Sequence, residues 1–180
     1  MVADLTITDQ RQQYIDFSVT FMSSKFSALV RQVDAQSMAT LDDLALKKKA
    51  NPESFAFGSV ISDDIVEQLA HSTKPLGREI YSWLRQNPTG QVNSLAQALD
   101  KVAAGGFALL TESTISEWAV GQDCRNFTVL LDVESLMEKQ FANALPKGSQ
   151  YLAPFNQATR ELIEDGTIER LRKRYWKNNC

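Results

Sequence analysis

Histidine and cysteine are nearly absent from this sequence: there is one histidine, His71, and there are two cysteines, Cys124 and Cys180. That scarcity removes most zinc sites and most nucleophile–base pairs, and no C-x-x-C, H-E-x-x-H or Asp-rich calcium loop is present. His71 sits at a polar helix end with no serine or cysteine motif beside it and reads as a solvated residue. No apolar run approaches the roughly 20 residues that span a bilayer. Met1-Val2-Ala3-Asp4 runs straight into a strand and does not open a signal peptide. Surplus positive charge is missing as well: 19 basic residues stand against 22 acidic ones, a net charge of −3, which argues against a nucleic-acid partner. The one basic triplet, Lys47-Lys48-Lys49, suits a helix C-terminus. No enzyme chemistry, metal or cofactor is expected, and the chain as it stands reads as soluble.

What is present is an alternation of strands and helices. Leu5 to Thr8, Phe26 to Val30, Phe55 to Ile61, Phe107 to Leu110 and Phe127 to Leu131 are β-branched or aromatic runs that read as strands. Thr40-Leu41-Asp42-Asp43 resembles a capping box and opens a helix that ends near the lysine triplet. Ser62-Asp63-Asp64 offers caps for a short helix with Ile65 and Leu69 on its inner face. Pro75 opens another, with Leu76, Ile80 and Leu84 at spacing four. Gly105-Gly106 closes a fourth, Thr114-Ile115-Ser116-Glu117 reads as a second capping box, and two helices finish the chain around Asp165-Gly166. Gln32 to Ala39 reads as a linker, and Leu136 to Leu145 is ambiguous. Strands alternating with helices predict an α/β fold.

The polar residues with a chemical opportunity lie where strands hand over to helices. In open α/β sheets that is where ligands bind, and helix N-termini there favour anions. Arg11 follows the Leu5–Thr8 strand, and a guanidinium grips a carboxylate with two parallel N–H bonds. Glu112 follows Phe107–Leu110, where a carboxylate can pair with an ammonium. Together they complement an amino acid. For the cysteines, two idle thiols and an extracellular disulfide both remain open, the sequon Asn126-Phe127-Thr128 favouring the second.

These motifs resemble those of animal ionotropic glutamate receptors of the AMPA and kainate type. Asp4-Leu5-Thr6-Ile7-Thr8, Arg11 and Ile15-Asp16-Phe17-Ser18 are similar to the end of that family's first ligand-binding segment. Leu109 to Glu117, reading L-L-T-E-S-T-I-S-E, Ala144 to Ser149 and the ending Tyr175 to Cys180 are similar to its second. The resemblance implies an α/β clamshell of the periplasmic-binding-protein type, with an incomplete lobe 1 (residues 1–25 with 141–180) and a lobe 2 (residues 26–140). It implies that Arg11 and Thr6 hold a ligand's α-carboxylate, that the carbonyl of Asp4 and the carboxylate of Glu112 take its α-ammonium, and that Cys124 bridges Cys180. The implied setting is the extracellular, postsynaptic part of a tetrameric receptor that closes on its ligand to gate a pore.

Three departures accompany the resemblance. The front of lobe 1, before Met1, is not in the sequence, and no pore helices stand between Arg31 and Asp34. At the distal ligand subsite, where the family has glycine and small hydroxyl residues, this chain has Asp63, Asp64 and Ile65. Two like charges about 4 Å apart repel by about 1 kcal/mol in water and about 4 at an effective dielectric near 20. Glutamate is therefore expected to bind poorly and a smaller amino acid such as glycine to be tolerated better. A soluble amino-acid-binding protein without a channel is the alternative.

Overall fold

The computed structural model describes residues 5–36, 38–50, 52–53, 55–61, 65–87, 90–133 and 136–176. The chain divides into two compact units, one built from residues up to Ser24 together with Glu138–Trp176, the other centred on Lys25–Met137.

The larger unit is organised on β3 (Met22–Arg31), whose residues Phe26 to Val30 are all buried. β3 pairs antiparallel with β5 (Phe107–Glu112) on one side, Phe26 opposite Glu112, and with β6 (Phe127–Leu131) on the other, Arg31 opposite Phe127. β4 (Ala56–Gly58) lies parallel to β5. A parallel pair needs a crossover, which α3 (Ile65–Ala70), α4 (Pro75–Gln86) and α5 (Leu95–Ala104) supply. Alternate strand residues feed two cores. Phe26, Ala28 and Val30 join Leu41, Leu44, Leu69 and Ile80 on one face, while Leu29 and Leu109 join Ala98, Val102 and Ala119 on the other. Covering both faces explains why these strands read as continuous apolar runs.

Helix ends follow local chemistry. In α2 (Leu41–Ala50) the Asp43 carboxylate accepts the Thr40 N–H at 3.0 Å, and the Thr40 hydroxyl accepts the Asp43 N–H at 3.2 Å, the reciprocal bonds of a capping box. Pro75 occupies the first turn of α4, and Leu76, Ile80 and Leu84 are buried along it. Gly105, at φ 89°, closes α5 in a conformation glycine adopts without penalty. Two expectations shift. The Phe55–Ile61 run forms a strand over Ala56–Gly58, with a separate parallel bridge from Val60 to Val92, and Phe55 is buried beside it. The helix after β5, α6 (Ser113–Gln122), begins before the expected capping box, so Thr114 lies inside it and Glu112 is its N-cap residue.

In the smaller unit β1 (Leu5–Thr6) pairs antiparallel with β7 (Glu138–Ala142), which resolves the ambiguous segment as a strand. β2 (Ile15–Phe17) pairs with β8 (Ala144–Pro146). A four-residue helix, α1 (Asp9–Gln12), joins β1 to β2 and is capped by the Thr8 hydroxyl. Ser18 and Asn143 exchange hydrogen bonds, and the Asn156 side chain on α7 (Leu152–Glu164) accepts the Val19 N–H at 2.8 Å. On α8 (Thr167–Tyr175) the apolar stripe leaves Leu171 and Tyr175 42% and 61% exposed.

Candidate functional site

The β1–α1 junction is set by register. Ile7 donates its N–H to the Gln140 carbonyl at 3.0 Å, and Leu5 and Thr6 pair with Ala142 and Phe141. In an antiparallel ladder the residue between two bonded pairs turns its own N–H and C=O to the opposite edge. Thr6 is that residue. Its carbonyl accepts a bond from Arg11 Nη1 at 2.8 Å, while Thr8 Oγ1 accepts the Arg11 backbone N–H at 3.3 Å. Arg11 is exposed, and among the described residues this one bond anchors its guanidinium. A guanidinium carries five N–H donors in a planar fork. The rest of the fork, with the Thr6 N–H on the same open strand edge, forms a set of donors suited to a carboxylate.

A second carboxylate fixes the neighbouring turn. Lys147 Nζ sits 3.0 Å from Asp16 Oδ1, and the Gly148 N–H donates to Asp16 Oδ2 at 2.7 Å. The Lys147 bond, then the Gly148 N–H, hold the Asp16 carboxyl below its ordinary pKa. Lys147 also donates to the Gln12 carbonyl at 2.8 Å, tying the end of α1 to the β8 turn. The D-F-S and P-K-G-S motifs are therefore bracing around the arginine, a role their sequence positions do not announce.

In the larger unit, Glu112 ends β5 with extended backbone and is half-buried at the start of α6. Lys25 donates its N–H to Ser113 Oγ at 3.1 Å, which fixes the first turn of α6 against β3. Ile65 opens α3 with its side chain 0% exposed, packed in the core, so it leaves only backbone for a ligand. Asp4, Asp63, Asp64 and Cys180 lie outside the described residues. Cys124 is disulfide-bonded. Asn126 is exposed in the turn before β6. His71 is exposed just after α3.

A cavity of about 480 Å³ on the larger unit contains none of the expected ligand residues. Its lysines are engaged: Lys48 donates to the carbonyls of Pro52 and Phe55, and Lys49 pairs with Glu79 at 2.8 Å. Sequence reading missed one polar cluster altogether. Arg31, at the end of β3, is joined to Asp34 in the 3₁₀ turn Gln32–Ala35, and Asp34 also accepts the Gly106 N–H at 3.1 Å. The only sequence signal was the i, i+3 spacing of opposite charges.

A profile of the bacterial extracellular solute-binding proteins, family 3, matches residues 1–178. The chain belongs to that family. It is thus a relative of binding proteins and not of enzymes. Among known proteins it is similar to glutamate receptor U1 of Xenopus laevis, 23% identical over 165 residues, covering 91% of this chain and 34% of that protein. It is also similar to the kainate-type ionotropic glutamate receptor glr-3 of Caenorhabditis elegans, 26% identical over 167 residues, covering 90% of this chain and 19% of the receptor. The chain therefore spans about a third or less of the length of these relatives. The Drosophila muscle GluRIIB complex with glutamate shares its fold, with a TM-score of 0.81 and 24% identity over 99% of this chain and 68% of that one. The fold is α/β and periplasmic-binding-protein-like. Among the described residues no helix is long and apolar enough to cross a membrane.

Proposed function

We propose that this chain is the ligand-binding core of an ionotropic glutamate receptor-like channel subunit, binding an amino acid and closing to gate a pore carried by other segments of the receptor. The observation that carries this reading is the Arg11–Thr6 arrangement: the guanidinium is anchored by one bond to the Thr6 carbonyl, on the strand edge that also bears the Thr6 N–H. These donors receive the α-carboxylate. Glu112 and the carbonyl of Asp4 receive the α-ammonium. The two compact units act as the lobes, and ligand shifts them toward a closed state only by binding that state more tightly. The receptor's other subunits complete a tetramer in the plasma membrane, with this portion extracellular.

The ligand is an amino acid smaller than glutamate. Ile65 is aliphatic, with no hydroxyl to offer a distal carboxylate, and its side chain is buried in the core; Asp63 and Asp64, at the neighbouring sequence positions, add negative charge that disfavours a second carboxylate. Calorimetry on the full-length receptor with glycine and glutamate tests this. Tighter binding of glutamate than of glycine overturns the ligand assignment, and absence of binding for a panel of amino acids overturns the site itself.

A second reading, an amino-acid-binding protein with no channel, is favoured by the short bonded turn Gln32–Ala35, which carries β3 toward α2 without an insertion. Ligand-evoked current from cells expressing the full-length protein separates the two.

A further inference from the structure

We propose that Asn126 carries an N-linked glycan, an assignment independent of which ligand the protein binds. Asn126-Phe127-Thr128 has the acceptor pattern, whereas Asn87-Pro88-Thr89 has the same outer residues but a proline that blocks it. Three structural observations place the modification. Asn126 is exposed, in the turn that leads into β6, so a sugar on its side chain projects into solvent and displaces no core residue. Its amide Nδ2 donates to Asp123 Oδ2 at 2.6 Å, and its backbone N–H and C=O are engaged with Asp123 and with the Gln32 N–H, so the turn is held by groups that the modification spares. Cys124, two residues before it, is disulfide-bonded. Disulfides persist in oxidising compartments, which include the lumen where asparagine glycosylation takes place.

The transfer is balanced with a lipid-pyrophosphate-linked oligosaccharide as donor. A bond forms between Nδ2 and C1 of the first sugar, and the bond from C1 to the pyrophosphate oxygen breaks. The lipid pyrophosphate leaves with the electron pair, and Nδ2 gives up one proton to the transferase. The amide keeps one N–H, enough to go on donating to Asp123. Phe127 is buried and Thr128 is paired with Val30 in the finished sheet, so the acceptor triplet is extended and reachable only before β6 docks. The modification therefore belongs to synthesis and not to the folded protein. Once attached, the glycan occupies the solvent around the Asn126 turn and the adjoining Gln32 backbone, and keeps that corner clear of protein partners.

The test uses the protein made in a eukaryotic secretory host, digested with a peptide N-glycosidase in isotopically heavy water and mapped by mass spectrometry. The expected result is a loss of apparent mass on digestion, with Asn126 converted to a labelled aspartate. Asn126→Gln and Thr128→Val each run at the digested position, whereas Thr128→Ser keeps the shift. A wild-type chain unmoved by digestion, or an Asn126→Gln chain that still shifts to the same extent, overturns the assignment. If a variant fails to leave the cell, the labelled peptide from the wild type still decides the question.

Discussion

Arg31 and Asp34 meet fork to fork, with Nε 3.1 Å from Oδ2 and Nη2 2.8 Å from Oδ1. The same carboxylate takes the Gly106 N–H, while the Asp34 carbonyl takes Lys47 Nζ at 3.0 Å. One acidic residue thereby ties together the end of β3, the start of β5 and helix α2.

Asp34→Ala removes both the fork and the Gly106 bond, and is expected to cost about 1.5–3 kcal/mol of stability, the range for bonds to a charged group. The Arg31 bond holds the Asp34 carboxyl below its ordinary value of 3.8. A depressed carboxyl contributes stability above its unfolded-state pKa and loses it as pH falls through the folded value. Urea midpoints of wild type and variant should therefore differ at neutral pH and converge in acid. A constant difference down to the acid limit would rule out the ion pair as the source.

Arg11→Ala is expected to weaken amino-acid binding by about 1.5–3 kcal/mol, roughly 10- to 150-fold, with little change in stability because the side chain is exposed. Arg11→Lys keeps the charge but loses the fork, and should recover only part of the affinity. Calorimetry on the full-length protein reads both, and an unchanged dissociation constant for Arg11→Ala removes the residue from the site.

Ile65→Thr restores the small hydroxyl that the distal subsite lacks in sequence, yet the side chain lies in the core. Losing a methyl group and burying a hydroxyl there is expected to destabilise the protein by about 1–4 kcal/mol, without improving glutamate affinity. A gain in glutamate binding at unchanged stability would show that residue 65 faces ligand.

Thr40→Ala takes away the hydroxyl half of the α2 capping box and should cost about 0.5–2 kcal/mol. Thr40→Ser, which keeps the hydroxyl, should recover most of the loss in thermal unfolding. Equal losses for both variants would place the effect in the methyl group.

Much of this fold was legible where local chemistry decides it. Thr40 and Asp43 announced a helix start, Pro75 with Leu76, Ile80 and Leu84 announced a buried helix, and Gly105 announced an end. What stayed hidden depends on partners distant in sequence. Gly106 reaches Asp34 across 72 positions, so residues 32–39 looked like a slack linker. The edge on which Thr6 presents its N–H follows from pairing with β7, in a stretch whose periodicity was ambiguous. At the β5–α6 boundary the strand residue Glu112 itself serves as the N-cap, so a hydroxyl-based signature pointed two residues too far along. Of the candidate site, Arg11 and Glu112 were visible as residue types. The bracing of the arginine turn by Asp16 and Lys147 was not, because it joins segments 131 positions apart in the sequence.

Gly105 carries a last consequence. A Cβ built there would lie 2.4 Å from the Arg31 guanidinium, at a backbone φ of +89°. Even the smallest added side chain would push a cation off its acid, so an electrically neutral substitution would behave as a charge mutation. Its cost would rise and fall with salt and pH, although nothing ionisable had been changed.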